Sequence, residues 1–125
     1  MTDIYPCVRY RDAATGLRWL QTVLGATEHA VMRNDDGSIG HAELAFGDGY
    51  IMAGGPPTEP YASAVGKLGP AETYLAVDDA KAAYERAVSA GAEVLMPFED
   101  QGYGVGFTLR DPEGNIWSMG DYRPG

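Results

Sequence analysis

The chain is poor in cross-links, in basic residues and in long apolar runs. Its 125 residues include one cysteine, Cys7, so no internal disulfide can form. That usage fits a reducing compartment. Only nine residues are Lys or Arg against eighteen Asp or Glu, a formal charge of -9. An acidic domain repels phosphate backbones and anionic lipid, which argues against nucleic-acid and membrane partners. No apolar run approaches the length of a membrane span. Met1 to Val8 lacks the basic stretch and apolar core of a secretory leader, and the expected location is the cytoplasm. With two histidines, His29 and His41, few imidazole-based sites can be built.

What is abundant is glycine, 17 residues, and tyrosine, 8 residues. Glycine at that density suits tight turns between short strands. The landmarks also repeat. Asp12-Ala13 returns as Asp79-Ala80, Gly25-Ala26 as Gly91-Ala92, and Gly49-Tyr50-Ile51-Met52 as Gly114-Asn115-Ile116-Trp117, at offsets of 65 to 67 residues. Repeated order of this kind marks two similar units.

Each unit opens with a short strand and a helix. Ala13, Leu17, Leu20 and Leu24 recur at helical spacing, as do Ala80, Ala83, Tyr84, Ala87 and Val88. Asp12, and Asp78 or Asp79, suit N-caps, where a carboxylate accepts otherwise unpaired N–H groups. Gly25 and Gly91 suit the left-handed position after a helix. Alternation then marks strands. Ala42, Leu44 and Phe46 share one face and His41, Glu43 and Ala45 the other; Phe107 and Leu109 oppose Thr108 and Arg110. Asn34-Asp35-Asp36-Gly37 signals a hairpin.

The expected fold is therefore α+β, two tandem βαβββ units forming a curved mixed sheet whose helix-free face is a concave cleft. One domain covers residues 1–125, with repeat 1 over about 1–54, a proline-rich linker over 55–71 and repeat 2 over about 72–122.

The residues placed on the cleft face are Tyr5, Cys7, His41, Glu43, Glu72, Tyr74, Thr108, Arg110 and Ser118, and Tyr103 sits on a glycine-rich loop before a strand. That loop lacks the Lys-Ser/Thr ending and strand–loop–helix setting of a phosphate loop, which excludes nucleotide binding by that motif. His41 and Glu43, two residues apart on one strand face, form either an acid–base pair or a hydrogen-bonded pair that orders the sheet. Cys7 reads as a small buried hydrophobe. His29 reads as a surface residue of an edge strand, and Trp19 and Trp117 as core.

Gly40-His41-Ala42-Glu43-Leu44 with Gly47-Asp48-Gly49, and Arg110-Asp111-Pro112-Glu113-Gly114-Asn115-Ile116-Trp117, together resemble the vicinal oxygen chelate superfamily of glyoxalases, bleomycin-resistance proteins and extradiol dioxygenases. Val77-Asp78-Asp79-Ala80 supports the likeness, which covers nearly the whole chain and looks most like the bleomycin-resistance or PhnB-like branch. The resemblance implies a homodimer, often with clefts shared between chains. It also implies that metal-dependent members take ligands from the first and last strands of each unit. Those positions fall on Tyr5, Ala53, Glu72 and Ser118 here, of which only Glu72 is a good donor.

The expectation is a protein that binds a small, partly aromatic or antibiotic-like organic molecule, with no cofactor and no catalytic metal. The alternative is a glyoxalase-like lyase or isomerase, using either rearranged metal ligands or His41 and Glu43 as acid and base; a divalent metal stays open on that reading.

Overall fold

The computed structural model describes residues 3–67 and 69–125. Met1, Thr2 and Leu68 lie outside them, and with them parts of the leader and linker readings.

The first unit runs β1 (Cys7–Arg9), α1 (Ala13–Thr22), β2 (Thr27–Arg33), β3 (Ile39–Phe46) and β4 (Gly49–Gly54). The second runs β5 (Glu72–Ala76), α3 (Ala80–Ser89), β6 (Glu93–Asp100), β7 (Val105–Arg110) and β8 (Ile116–Gly120). Both are βαβββ. The linker is not wholly irregular: a short helix, α2 (Tyr61–Val65), interrupts it.

Each unit builds its own four-stranded mixed sheet, in the orders β1-β4-β3-β2 and β5-β8-β7-β6. The first strand of each unit pairs in parallel with the last, and the remaining pairs are antiparallel.

Local chemistry fixes the helix ends. The Asp12 carboxylate accepts the Thr15 N–H at 3.1 Å and the Thr15 hydroxyl at 2.7 Å. Asp79, rather than Asp78, caps α3 by accepting from Ala82 N at 3.0 Å. Gly25 and Gly91 both take φ of +81°, a conformation in which a Cβ would be strained.

One core spans both units. Val8, Leu17, Leu20, Leu44 and Ile51 pack in the same cluster as Ala87, Phe107, Leu109, Trp117 and Met119. Trp19 lies against Trp117 with ring centroids 6.3 Å apart; Trp117 is core, and Trp19 is partly buried and packs against it. Val88 leaves the apolar stripe of α3 and is exposed.

A polar junction joins the units inside this core. The Asp111 carboxylate accepts from the Tyr10 hydroxyl at 2.8 Å, the Trp117 indole N–H at 3.1 Å and the backbone N–H groups of Glu113 and Asn115, both at 2.9 Å. Glu113 in turn accepts from the Arg11 and Asp12 backbone N–H groups. The two helix-covered faces thus share one interior, and the helix-free faces remain open. Among the described residues no helix is long and apolar enough to cross a membrane.

Candidate functional site

The main cleft is assembled from the helix-free face of the second sheet. β5 and β8 lie parallel, with Glu72 opposite Ile116 and Tyr74 opposite Ser118. β7 sets Thr108 beside Ser118, and their hydroxyls are 2.9 Å apart. Leu95, Met96 and Glu99 of β6, with Gln101 and Tyr103 from the following loop, raise one wall. The space so enclosed is about 680 Å³, within the range of small-molecule sites.

The walls mix apolar side chains with Glu99 and Gln101, and the Thr108–Ser118 hydroxyl pair lies between them. Glu72 and Glu99 stand within the cleft without side-chain hydrogen bonds or ion pairs among the described residues. The Tyr74 hydroxyl donates to the Tyr122 carbonyl at 2.8 Å. Burial, as the leading cause, raises the Tyr74 phenol above its ordinary value, and the nearby Asp121 carboxylate adds to the rise.

Five predicted residues, Glu72, Tyr74, Tyr103, Thr108 and Ser118, are therefore brought together. The others are not with them. Cys7 and His41 line a shallow recess of about 80 Å³ on the first sheet, with Arg9, Met52 and Gly54. Cys7 is exposed, not buried, because it faces away from the helices and only its neighbour Val8 enters the core. Its thiol lies 3.9 Å from the Met52 thioether. His41 Nε2 and Glu43 Oε2 are 3.1 Å apart, so this pair does form.

Tyr5 stands beside the first sheet, its hydroxyl 3.4 Å from Asp3 and its ring edge-on to Tyr50. Arg110 turns away to an exposed ion pair with Glu93 at 2.9 Å, across the β6–β7 pairing.

Tyr50, with the His29 ring tilted against it at a centroid distance of 5.1 Å, adds an aromatic surface that was not predicted. His29 is indeed an exposed residue of an edge strand, and two residues after Thr27, which pairs with Ala45 beside Tyr50, it falls on the Tyr50 face.

The metal positions need one correction. Ala53 is 4% exposed and points into the core. Glu43 pairs with Met52 as Thr108 pairs with Ser118, so Met52 is the residue equivalent to Ser118. The four positions are Tyr5, Met52, Glu72 and Ser118. One carboxylate, a phenol, a thioether and a hydroxyl do not make a donor set for a catalytic divalent metal. Among the described residues no group of three or more His, Cys, Asp and Glu is placed to hold a metal ion.

Comparison with known proteins agrees with this architecture. The protein-family model of the Glyoxalase/Bleomycin resistance protein/Dioxygenase superfamily matches residues 5–119. An uncharacterized protein of Mycobacterium bovis is 30% identical over 118 residues, covering 87% of this chain and 76% of that one. TioX from Micromonospora sp. ML1 superposes with a TM-score of 0.87 at 23% identity, over 98% of this chain and 100% of that chain. A glyoxalase/bleomycin resistance protein/dioxygenase family enzyme from Burkholderia phytofirmans superposes with a TM-score of 0.72 at 20% identity, over 93% of this chain and 94% of that chain. At these identities the two structural likenesses speak for the fold.

Proposed function

The chain belongs to the Glyoxalase/Bleomycin resistance protein/Dioxygenase superfamily, and from that premise we propose that it is a metal-independent binding protein of the bleomycin-resistance or PhnB-like branch. It holds a small, partly aromatic organic molecule in the cleft of the second sheet and sequesters it in the cytoplasm. The observation that carries this reading is the composition of the cleft. Tyr74, Tyr103, Leu95, Met96 and Ile116 supply apolar contact, while Thr108, Ser118, Glu72 and Glu99 supply a few polar groups. Such a site gains affinity from apolar burial and orientation from its polar groups. It contains no ordered series of nucleophile, base and orienting group.

The protein acts as a homodimer on this reading, with the open first-sheet face of one chain completing the cleft of the other. Tyr5, Tyr50, His41 and Glu43 would then meet the ligand from the partner.

One observation favours a second reading. The 3.1 Å contact between His41 and Glu43 orients an imidazole beside a carboxylate, the arrangement of a general base. A lyase or isomerase acting on a small 2-oxo compound could use it.

Ligand-induced thermal shift with planar aromatic antibiotics and small 2-oxo compounds tests the site. Hits are expected to weaken by about 1–3 kcal/mol when Thr108→Val or Ser118→Ala removes a hydroxyl that bonds the ligand. Hits indifferent to both substitutions and to Tyr74→Ala would place binding elsewhere and contradict the proposal.

A further inference from the structure

Beside the main cleft lies a second hollow of about 480 Å³, lined by Tyr74, Tyr103, Tyr122 and Pro124. Tyr74 and Tyr103 line both spaces, so the two adjoin. All three tyrosines are exposed, which leaves a cluster of large aromatic side chains facing solvent. The rings are held in place. Tyr103 and Tyr122 meet at 77° with centroids 5.3 Å apart, making a corner. The Tyr74 hydroxyl fixes a third wall by its bond to the Tyr122 carbonyl.

The charge around this corner is mainly negative, although Arg123 lies near enough to act on Tyr74. The Asp121 carboxylate, which accepts from Val105 N at 2.9 Å, stands against the loop that carries Tyr103. Glu99 and Glu72 line the adjoining cleft. Among the described residues no basic side chain lines either space: Arg123 is drawn to Asp78 at 3.1 Å, and Arg110 to Glu93.

Aromatic faces carry negative potential, and perpendicular rings present several such faces to one point. A compact, strongly hydrated ammonium would lose more water there than the rings return. A methylated ammonium is weakly hydrated and fills the corner by contact. We propose that Tyr74, Tyr103 and Tyr122 form a cage for an alkylated ammonium group, and that the molecule held in the main cleft carries such a cation. This rests on the cleft being a binding site and specifies the charge of what it binds.

The test is an NMR titration of the protein with choline and, in parallel, with its neutral carbon isostere 3,3-dimethyl-1-butanol. The expected result is that choline binds at least about ten-fold tighter, its methyl resonance moving upfield through the ring currents. Tyr103→Leu and Tyr122→Leu should each abolish that preference, and Tyr103→Phe should retain it. Equal affinities, or choline binding untouched by both leucine variants with the fold intact, would overturn the cage. So would a dimer dissociated by those leucine variants in a protein that does not respond to choline, because the tyrosines would then be an interface. Neutral aromatic ligands weakened by Thr108→Val would leave the cleft reading standing in each of those cases, so the two failures are separable.

Discussion

At the scale of single residues, the junction at Asp111 carries more of the fold than its sequence context suggests. A buried carboxylate surrounded only by donors is satisfied as it stands, and each donor loses its partner if it is changed. Tyr10→Phe is expected to cost about 1.5–3 kcal/mol, the range for a hydrogen bond to a charged group. Asp111→Asn should cost more, because the new amide turns N–H donors toward the Tyr10 hydroxyl and the Trp117 indole. Urea denaturation of the two variants checks the order, and a neutral Asp111→Asn would contradict it. The same junction sets a pH dependence. Burial, reinforced by Asp111, raises the Tyr10 phenol far above its ordinary value of 10.0. The neutral phenol is favoured in the folded chain, so its contribution is fully present below pH 10 and is lost as pH rises above that. Stability should fall above about pH 10 in the wild type and fall less steeply in Tyr10→Phe. Equal slopes in the two proteins would show that Tyr10 is not the group responsible.

At the scale of elements, what was legible was local. Asp12 and Asp79 announce their helices because capping needs only a carboxylate three residues from an N–H group. Gly25 and Gly91 announce the helix ends because the backbone there has positive φ. Strand alternation placed Thr108 and Ser118 on one face correctly, and the structure sets them 2.9 Å apart. Sequence counting failed where register changes. The β3–β4 turn, Gly47-Asp48, is shorter than the Asp111 to Asn115 loop of the second unit, and this shift exchanged Ala53 for Met52. Irregular pairing of β6 with β7 between Val94 and Glu99 hid Leu95, Met96 and Glu99 from any simple alternation. Arg110 was lost to the cleft because its register partner Glu93 holds it.

Helix α1 offers a test that helix propensity alone would answer wrongly. A Cβ at Gly16 would lie 2.5 Å from the Tyr10 ring. Gly16→Ala gains about 1 kcal/mol of helix propensity, but overpacking a rigid aromatic ring costs roughly 1–3 kcal/mol. The expected net effect is a lower melting temperature together with a disturbed near-ultraviolet signal. A stabilised Gly16→Ala would mean that α1 is free to move away from Tyr10.

At the scale of the whole molecule, one interior supports two open sheet faces of different character. The face of the first unit carries an aromatic row, Tyr5–Tyr50–His29, and the His41–Glu43 pair. The face of the second carries the larger cleft. The donor set at Tyr5, Met52, Glu72 and Ser118 predicts that chelator-treated protein does not recover a stoichiometric divalent metal. Zinc, nickel, manganese or iron held at one equivalent, and lost in Glu72→Ala, would contradict that prediction.

Binding without turnover is the central claim, and it is tested most directly by the fate of the ligand. A compound that stabilises the protein is incubated in large excess with the purified protein, and the whole pool is recovered and weighed against the input by mass spectrometry. The proposed function predicts that the compound returns chemically unchanged. Conversion of many equivalents per protein, abolished in His41→Ala or Glu43→Gln variants that remain folded, would make the protein an enzyme and contradict it.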